Sequence, residues 1–204
     1  MEFNTARNLG FAGAILLVLS IIIGLSGFGF LYVVGYIIGV ILVLRSLHYL
    51  SQVYGERRVF TYSLYGILIY VVAVATVLAM AVLILGPLGA RWVEEGMRPG
   101  EVFAALSASI IVLGLILWLG LVAGSYLLYR ALSLLASHSG VELFKTTGLV
   151  YLVGAATIIV AVGALLIVLG HILLAISFYT LKPPEKPLAQ APTHSTITIQ
   201  ATYE

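Results

Sequence analysis

Long apolar runs broken by short polar or glycine-rich joints organise this chain. The first run extends from about Leu9 to Leu25 and the second from about Phe28 to Tyr54, with only Gly24-Leu-Ser-Gly-Phe-Gly29 between them, which predicts a tight helical hairpin. A third run, from about Phe60 to Leu85, stops at Gly86-Pro87, where proline removes an amide donor and disfavours helix at the preceding residue. Arg91, Trp92, Glu94, Glu95, Arg98, Pro99 and Glu101 then read as a polar loop, with Trp92 suited to the headgroup level. A fourth helix follows from near Glu101 to about Ser137, longer than a bilayer requires, so its last turns are expected in water beyond Arg130. Ser139-Gly-Val-Glu142 reads as a capping box for the next helix, with Glu142 and Lys145 spaced as an i,i+3 pair.

Each run must be a helix, because hydrocarbon offers no partner to open backbone groups and nothing in the chain alternates as barrel strands do. The remaining stretch, Thr147–Leu181, is about 35 residues without a charge, long for one span of roughly 20 residues and short for two. Two helices turning near Val162–Ala164 are the preferred division, giving six spans; a single span, giving five, is the alternative.

A repeated block supports six. Gly35-Tyr-Ile-Ile-Gly39, with Arg45 and Leu47 following, recurs 85 positions later as Gly120-Leu-Val-Ala-Gly124 with Arg130 and Leu132, and seven of 21 aligned positions are identical. Gly170–Leu181 aligns as a weaker third copy. Each G-x-x-x-G pair leaves a groove where a second helix can approach closely, whether within the chain or between copies.

Charge distribution points the same way. Six spans gather Arg7, Arg45, Arg57, Arg58, Arg130, Lys145, Lys182 and Lys186 on one side and leave Arg91 and Arg98 opposite, beside glutamates. By the positive-inside rule both termini are then cytoplasmic. Composition agrees with the class: 62% of residues are apolar, 9% charged, and mean hydropathy is +1.16. A net charge of +2 is too small to imply a nucleic-acid partner. Arg7 ahead of the first apolar run resembles a signal-peptide start, but no small-x-small site follows and the segment reads as retained. Beyond residue 181, Lys182-Pro-Pro-Glu-Lys-Pro187 predicts a stiff linker. The Thr193–Tyr203 segment beyond it reads as a flexible tail, with strand addition to a partner as the alternative.

Candidate chemistry is sparse. The chain has no cysteine and no aspartate, and all eight acidic residues lie outside the predicted spans, which argues against thiol chemistry and carboxylate-coupled ion transport. No Walker loop, metal-binding H-E-x-x-H or nucleophile elbow occurs, so no enzyme activity, cofactor or metal site is expected. His171 is the one ionisable side chain deep in a predicted span. It is a candidate proton relay or ligand contact, with a neutral imidazole bonded across helices as the plain alternative. Arg45, Arg57, Arg58 and Arg130 read as boundary anchors, with anion or headgroup binding at Arg45 and Arg130 and attraction of anionic lipid at Arg57 and Arg58 as the alternatives, and Gly35, Gly39, Gly120 and Gly124 read as helix-packing residues. Tyr54, Tyr62, Tyr65, Tyr126, Tyr129 and Tyr179 read as interfacial aromatics.

The segment Ser139-Gly-Val-Glu-Leu-Phe-Lys-Thr-Thr-Gly-Leu-Val-Tyr-Leu-Val-Gly-Ala155 resembles an archaeal membrane family catalogued as domain of unknown function 996. The opening Ala6–Ile15 and the closing Ile172–Leu181 are similar to that family's two ends. The resemblance implies a compact multi-span protein of the cytoplasmic membrane, and it carries no activity or catalytic residue to this chain.

The reading is therefore an all-α integral membrane protein of about six transmembrane helices in three tandem hairpins over residues 1–181, followed by a tail over 182–204. The expected role is a non-enzymatic component of the cell membrane that packs against lipid, itself or a larger complex. A small-solute permease or channel is the alternative. An intramembrane enzyme comes third, and requires polar groups such as His171, Ser125 and Thr157 to converge.

Overall fold

The computed structural model describes residues 3–95, 99–160 and 162–183, with the backbone alone at 85–95, 99 and 101–106. The fold is all-α: α1 Phe3–Leu25, α2 Gly29–Val53, α3 Arg57–Glu95, α4 Pro99–Ser139, α5 Leu143–Ala156 and α6 Val162–Tyr179, with a 3₁₀ turn at Ile158–Val160. Five of these helices are long and apolar enough to cross a membrane. The exception, α5, has 14 residues and is about 21 Å long at 1.5 Å per residue, short of a hydrocarbon core about 30 Å thick. Its last carbonyl is met by a neighbour, since the Trp118 indole of α4 donates to Ala156 O at 3.1 Å.

Each helix packs on its sequence neighbours and α6 returns to α1, so the hairpins α1/α2, α3/α4 and α5/α6 form a ring. Contact between α2 and α3 is the sparsest around it. Both ends of the described chain lie at one end of the bundle. There the Ser46 hydroxyl donates to Ala6 O at 2.7 Å and the Tyr54 hydroxyl donates to Lys182 O at 3.0 Å. This basic end collects the termini of the helices that carry Arg45, Arg57, Arg58, Arg130 and Lys145.

Close backbone approach holds each of the first two hairpins. A methyl placed on Gly39 would stand 2.9 Å from the Leu17 side chain and 3.0 Å from Gly13 O; one on Gly124 would stand 2.5 Å from the Tyr70 ring and 2.8 Å from Gly66 O. One turn away, Gly35 faces Ser20 and Gly120 faces Ala73. Both G-x-x-x-G pairs are thus occupied within the chain. At the basic end Leu47, Leu132 and Phe178, which share one register of the repeat, and Leu50, Leu135 and Leu181, which share another, are all essentially inaccessible. Phe144 meets Phe178 edge-on at 5.3 Å, sealing this end. After α2 and α4, Gly55 (φ +69°) and Gly140 (φ +71°) adopt the left-handed conformation that glycine tolerates best.

Several expectations change. The third helix does not stop at Gly86-Pro87 but continues to Glu95, since a proline removes one backbone bond and the helix resumes beyond it. The fourth starts at Pro99, a position where proline's missing amide costs nothing. The polar stretch is therefore two helix ends joined at 96–98, and those joint residues and the Trp92 side chain lie outside the described residues. The turns of α4 beyond Arg130 are not bare, because Ala131, Leu132, Leu135 and Ala136 are buried there. Thr147–Leu181 does divide in two, but at the 3₁₀ turn, a few residues before Val162–Ala164. The capping box does not form. Ser139 ends α4, its hydroxyl accepts only from Val141 N at 3.3 Å, and Glu142 makes no side-chain cap to α5. Glu142 and Lys145 form no ion pair, the one among the described residues being Arg58–Glu56. The tail from residue 184 lies outside the described residues.

The glycine contacts set a stability prediction. Gly124→Ala must displace the Gly66 backbone and should cost about 1–3 kcal/mol as an overpacked contact, read as a lower melting temperature in detergent. Gly114→Ala, with open space around it, should leave melting unchanged or raise it. Ring topology also predicts labelling: in a cysteine-free background, Thr5→Cys and Ser137→Cys react with an impermeant thiol reagent from one face of the membrane, Ser26→Cys and Ile159→Cys from the other. Reaction of Ile159→Cys from the same face as Ser137→Cys would mean that α5 does not cross.

Candidate functional site

The register that brings the glycines together also selects what faces the centre of the ring. The residue after Gly39, Gly124 and Gly170, which share one register of the repeat, is Val40 on α2, Ser125 on α4 and His171 on α6. The residue seated against that glycine from the partner helix is Leu17, Tyr70 or Tyr151. One pair, Leu17 with Val40, is apolar. In the second hairpin the Tyr70 hydroxyl and Ser125 Oγ are hydrogen-bonded at 2.7 Å. In the third, the Tyr151 and His171 rings meet edge-on at 5.2 Å and 90°. Tyr36 of α2 joins them, its ring centroid 6.0 Å from that of His171. Tyr36, Tyr70 and Tyr151 lie within electrostatic range of one another, so the two polar pairs belong to one cluster drawn from α2 to α6.

His171 sits midway along α6 and is 3% exposed. Its Nδ1 lies 2.6 Å from Ile167 O. A carbonyl only accepts, so Nδ1 carries the proton, and in the neutral ring Nε2 is left as an acceptor facing away from that bond. The imidazole is thus bonded within its own helix, one turn back, rather than across helices. Among the described residues the Tyr36 hydroxyl, the Tyr151 hydroxyl and His171 Nε2 have no hydrogen-bond partner, although Tyr151 and His171 are buried. The cluster thus presents two hydroxyls and an imidazole nitrogen with open hydrogen-bonding capacity. No acidic residue lies in the spans around it.

Other candidates stand elsewhere. Arg45 and Arg130 are on the outer surface two to three turns from the basic end, Arg130 donating to the Tyr126 hydroxyl at 3.2 Å and lying 5.9 Å above the Tyr62 ring. Arg57 and Arg58 open α3, where Glu56 accepts from Arg58 N at 3.1 Å. Thr157 closes α5 with its hydroxyl on Val153 O at 2.7 Å, so it does not converge with Ser125 and His171. Sequence reading passed over Tyr36, Tyr70 and Tyr151. Their signal is position: each interrupts the middle of an apolar run, where an interfacial tyrosine has no water to reach.

Together these features define a polytopic α-helical membrane protein with a polar cluster inside its ring. The chain belongs to the family described as a protein of unknown function, DUF996, whose model matches residues 35–172. That match extends from just before Tyr36 to just after His171 and so encloses the cluster. The chain is also similar to the uncharacterized protein MJ1644 of Methanocaldococcus jannaschii, 26% identical over 181 residues that cover 89% of this chain and 94% of that one. No solved structure matches.

The Tyr70–Ser125 bond is open to a double-mutant cycle. Tyr70→Phe and Ser125→Ala should each lower stability to unfolding in mixed micelles, and the double variant should lose less than the sum, with a coupling of about 0.5–2 kcal/mol for an interhelical bond in a membrane. Strict additivity would mean that the two side chains do not meet.

Proposed function

We propose that the chain is a non-enzymatic membrane protein that admits a small, uncharged polar solute to the interior of its helix ring, as a permease or channel. One observation carries this reading: the hydrogen-bonding groups of Tyr36, Tyr151 and His171, which have no hydrogen-bond partner among the described residues, stand together at mid-span, where lipid supplies no partner and a polar group is by default a functional candidate. The groups suit a solute that both donates and accepts, since tyrosine hydroxyls do both and His171 Nε2 accepts. A charged solute is disfavoured, because the spans that supply the cluster carry no acidic residue and the described arginines lie outside it. The glycine pairs no longer motivate self-association, being spent within the hairpins; a second copy would use other surfaces. We assign the basic end to the cytoplasm by the positive-inside rule, and read the repeated hairpin as the unit from which the ring was built.

Reconstitution tests it. Vesicles containing the purified protein, followed by stopped-flow light scattering against a panel including glycerol and urea, should equilibrate at least one such solute faster than empty vesicles. His171→Leu with Tyr151→Phe should remove the gain, and Gly114→Ala should keep it. Equilibration no faster than in empty vesicles across the panel would sink the proposal.

A further inference from the structure

The outer face of the α3/α4 hairpin carries a second feature that the interior cluster does not use. Between the two helices lies an open groove of about 500 Å³, lined by Tyr65, Leu68 and Val72 on α3 and by Ile116, Gly120 and Leu127 on α4. Its floor exists because Gly120 has no side chain and Ala73 packs directly against it. Along α4 it extends roughly 16 Å at 1.5 Å per residue, entirely within the membrane-spanning segments. Its walls are almost wholly apolar, and Leu68 and Val72 are exposed to lipid rather than covered by another helix.

What distinguishes this groove from an ordinary gap in a lipid-facing surface is the group at its basic end. Arg130 lies one turn beyond Leu127, and Tyr62 one turn before Tyr65. The guanidinium stands 5.9 Å above the Tyr62 ring and donates one Nη1–H to the Tyr126 hydroxyl at 3.2 Å. Two aromatic residues therefore hold it in place, whereas a free arginine would snorkel without a fixed position. It has no carboxylate partner among the described residues, so most of its donors and its whole charge are uncompensated. Arg45, at the same register of the repeat, has neither a ring nor a hydrogen-bond partner among the described residues.

We infer that the α3/α4 face is a binding site for one anionic phospholipid, with a hydrocarbon chain in the groove and the headgroup phosphate on Arg130. The uncompensated charge favours a headgroup of net negative charge over a zwitterionic one, whose own cation offsets its phosphate, and the guanidinium's planar fork of donors suits the phosphate itself. The apolar walls select a chain, and the distance along the helices places the two parts of one lipid at once. Tyr65 and Tyr126, amphipathic and about half exposed, flank the junction between chain and headgroup, the level such side chains favour.

Native mass spectrometry tests this on the full chain, purified in detergent and incubated with equal amounts of phosphatidylglycerol and phosphatidylcholine. The wild type should retain one phosphatidylglycerol in about fivefold preference, the ratio expected for one basic residue near an anionic headgroup. Arg130→Gln should bring the ratio to about one, Arg130→Lys should leave it intermediate, and Arg45→Gln should leave it unchanged. Val72→Trp, which fills the groove while sparing Arg130, should reduce retention of both lipids. Melting temperatures in lipid-free detergent show that each variant is folded. An unaltered preference in Arg130→Gln overturns the assignment, as does an equal loss in Arg45→Gln. Full retention in Val72→Trp overturns the groove as the seat of the chain.

Discussion

Direct backbone contact within each helical hairpin is the constraint from which the rest of this bundle follows. In lipid, burying apolar surface between helices gains little over leaving it against acyl chains, so association depends on close packing. Gly13 with Gly39, and Gly66 with Gly124, supply surfaces without side chains, and the helices close on them. Once those contacts set the rotation of α2 and α4, neighbouring positions have no freedom. Leu47, Leu50, Leu132 and Leu135 turn into the seal at the basic end, while Ser125 turns toward Tyr70. The third hairpin closes in the same way, with Gly154 and Gly163 in backbone contact and Gly170 seated on the Tyr151 ring as Gly124 is on the Tyr70 ring. His171 follows it inward.

The ring is consequently unequal along its axis. Its basic end is filled by leucine and phenylalanine, with the helix ends tied to one another by the Ser46 and Tyr54 hydrogen bonds. Its middle holds hydroxyls and an imidazole. The sparse contact between α2 and α3 leaves Tyr36 of α2 and Tyr70 of α3 on either side of the least tightly joined seam. Outside the ring the requirement is reversed: exposed valine, leucine and isoleucine meet lipid, and Arg130 is the polar group that aromatic neighbours hold in position.

Much of this was legible beforehand because the governing signals are local. Proximity of two apolar runs across Gly24–Gly29 makes a hairpin whatever the remainder of the chain does, and the spacing of Gly35, Gly39, Gly120 and Gly124 is one that lets helices approach closely. The errors have equally physical origins. Ser139-Gly-Val-Glu142 carries the residue types of a capping box, but Gly140 takes the left-handed conformation that ends α4, so the serine closes one helix instead of opening the next. Pro87 has the chemistry of a helix breaker, yet one missing hydrogen bond did not end α3. Tyr36, Tyr70 and Tyr151 were overlooked because tyrosine suits a headgroup region as well as a polar interior, and its chemistry alone does not distinguish them.

By itself the amino-acid sequence determined that this is an all-helical membrane protein and that it pairs its helices in tandem. Hydropathy and backbone hydrogen bonding in lipid act along the chain and need no knowledge of distant neighbours. Only the tertiary structure decided which side chains share the interior, that Tyr70 bonds Ser125 while Tyr36 and Tyr151 meet His171, and that Arg130 stands at the end of a groove with Tyr62 and Tyr126 around it. Those outcomes depend on helix rotation and on which hairpin lies next to which. Both are settled by contacts between residues far apart in sequence, with glycine surfaces setting the distance of closest approach.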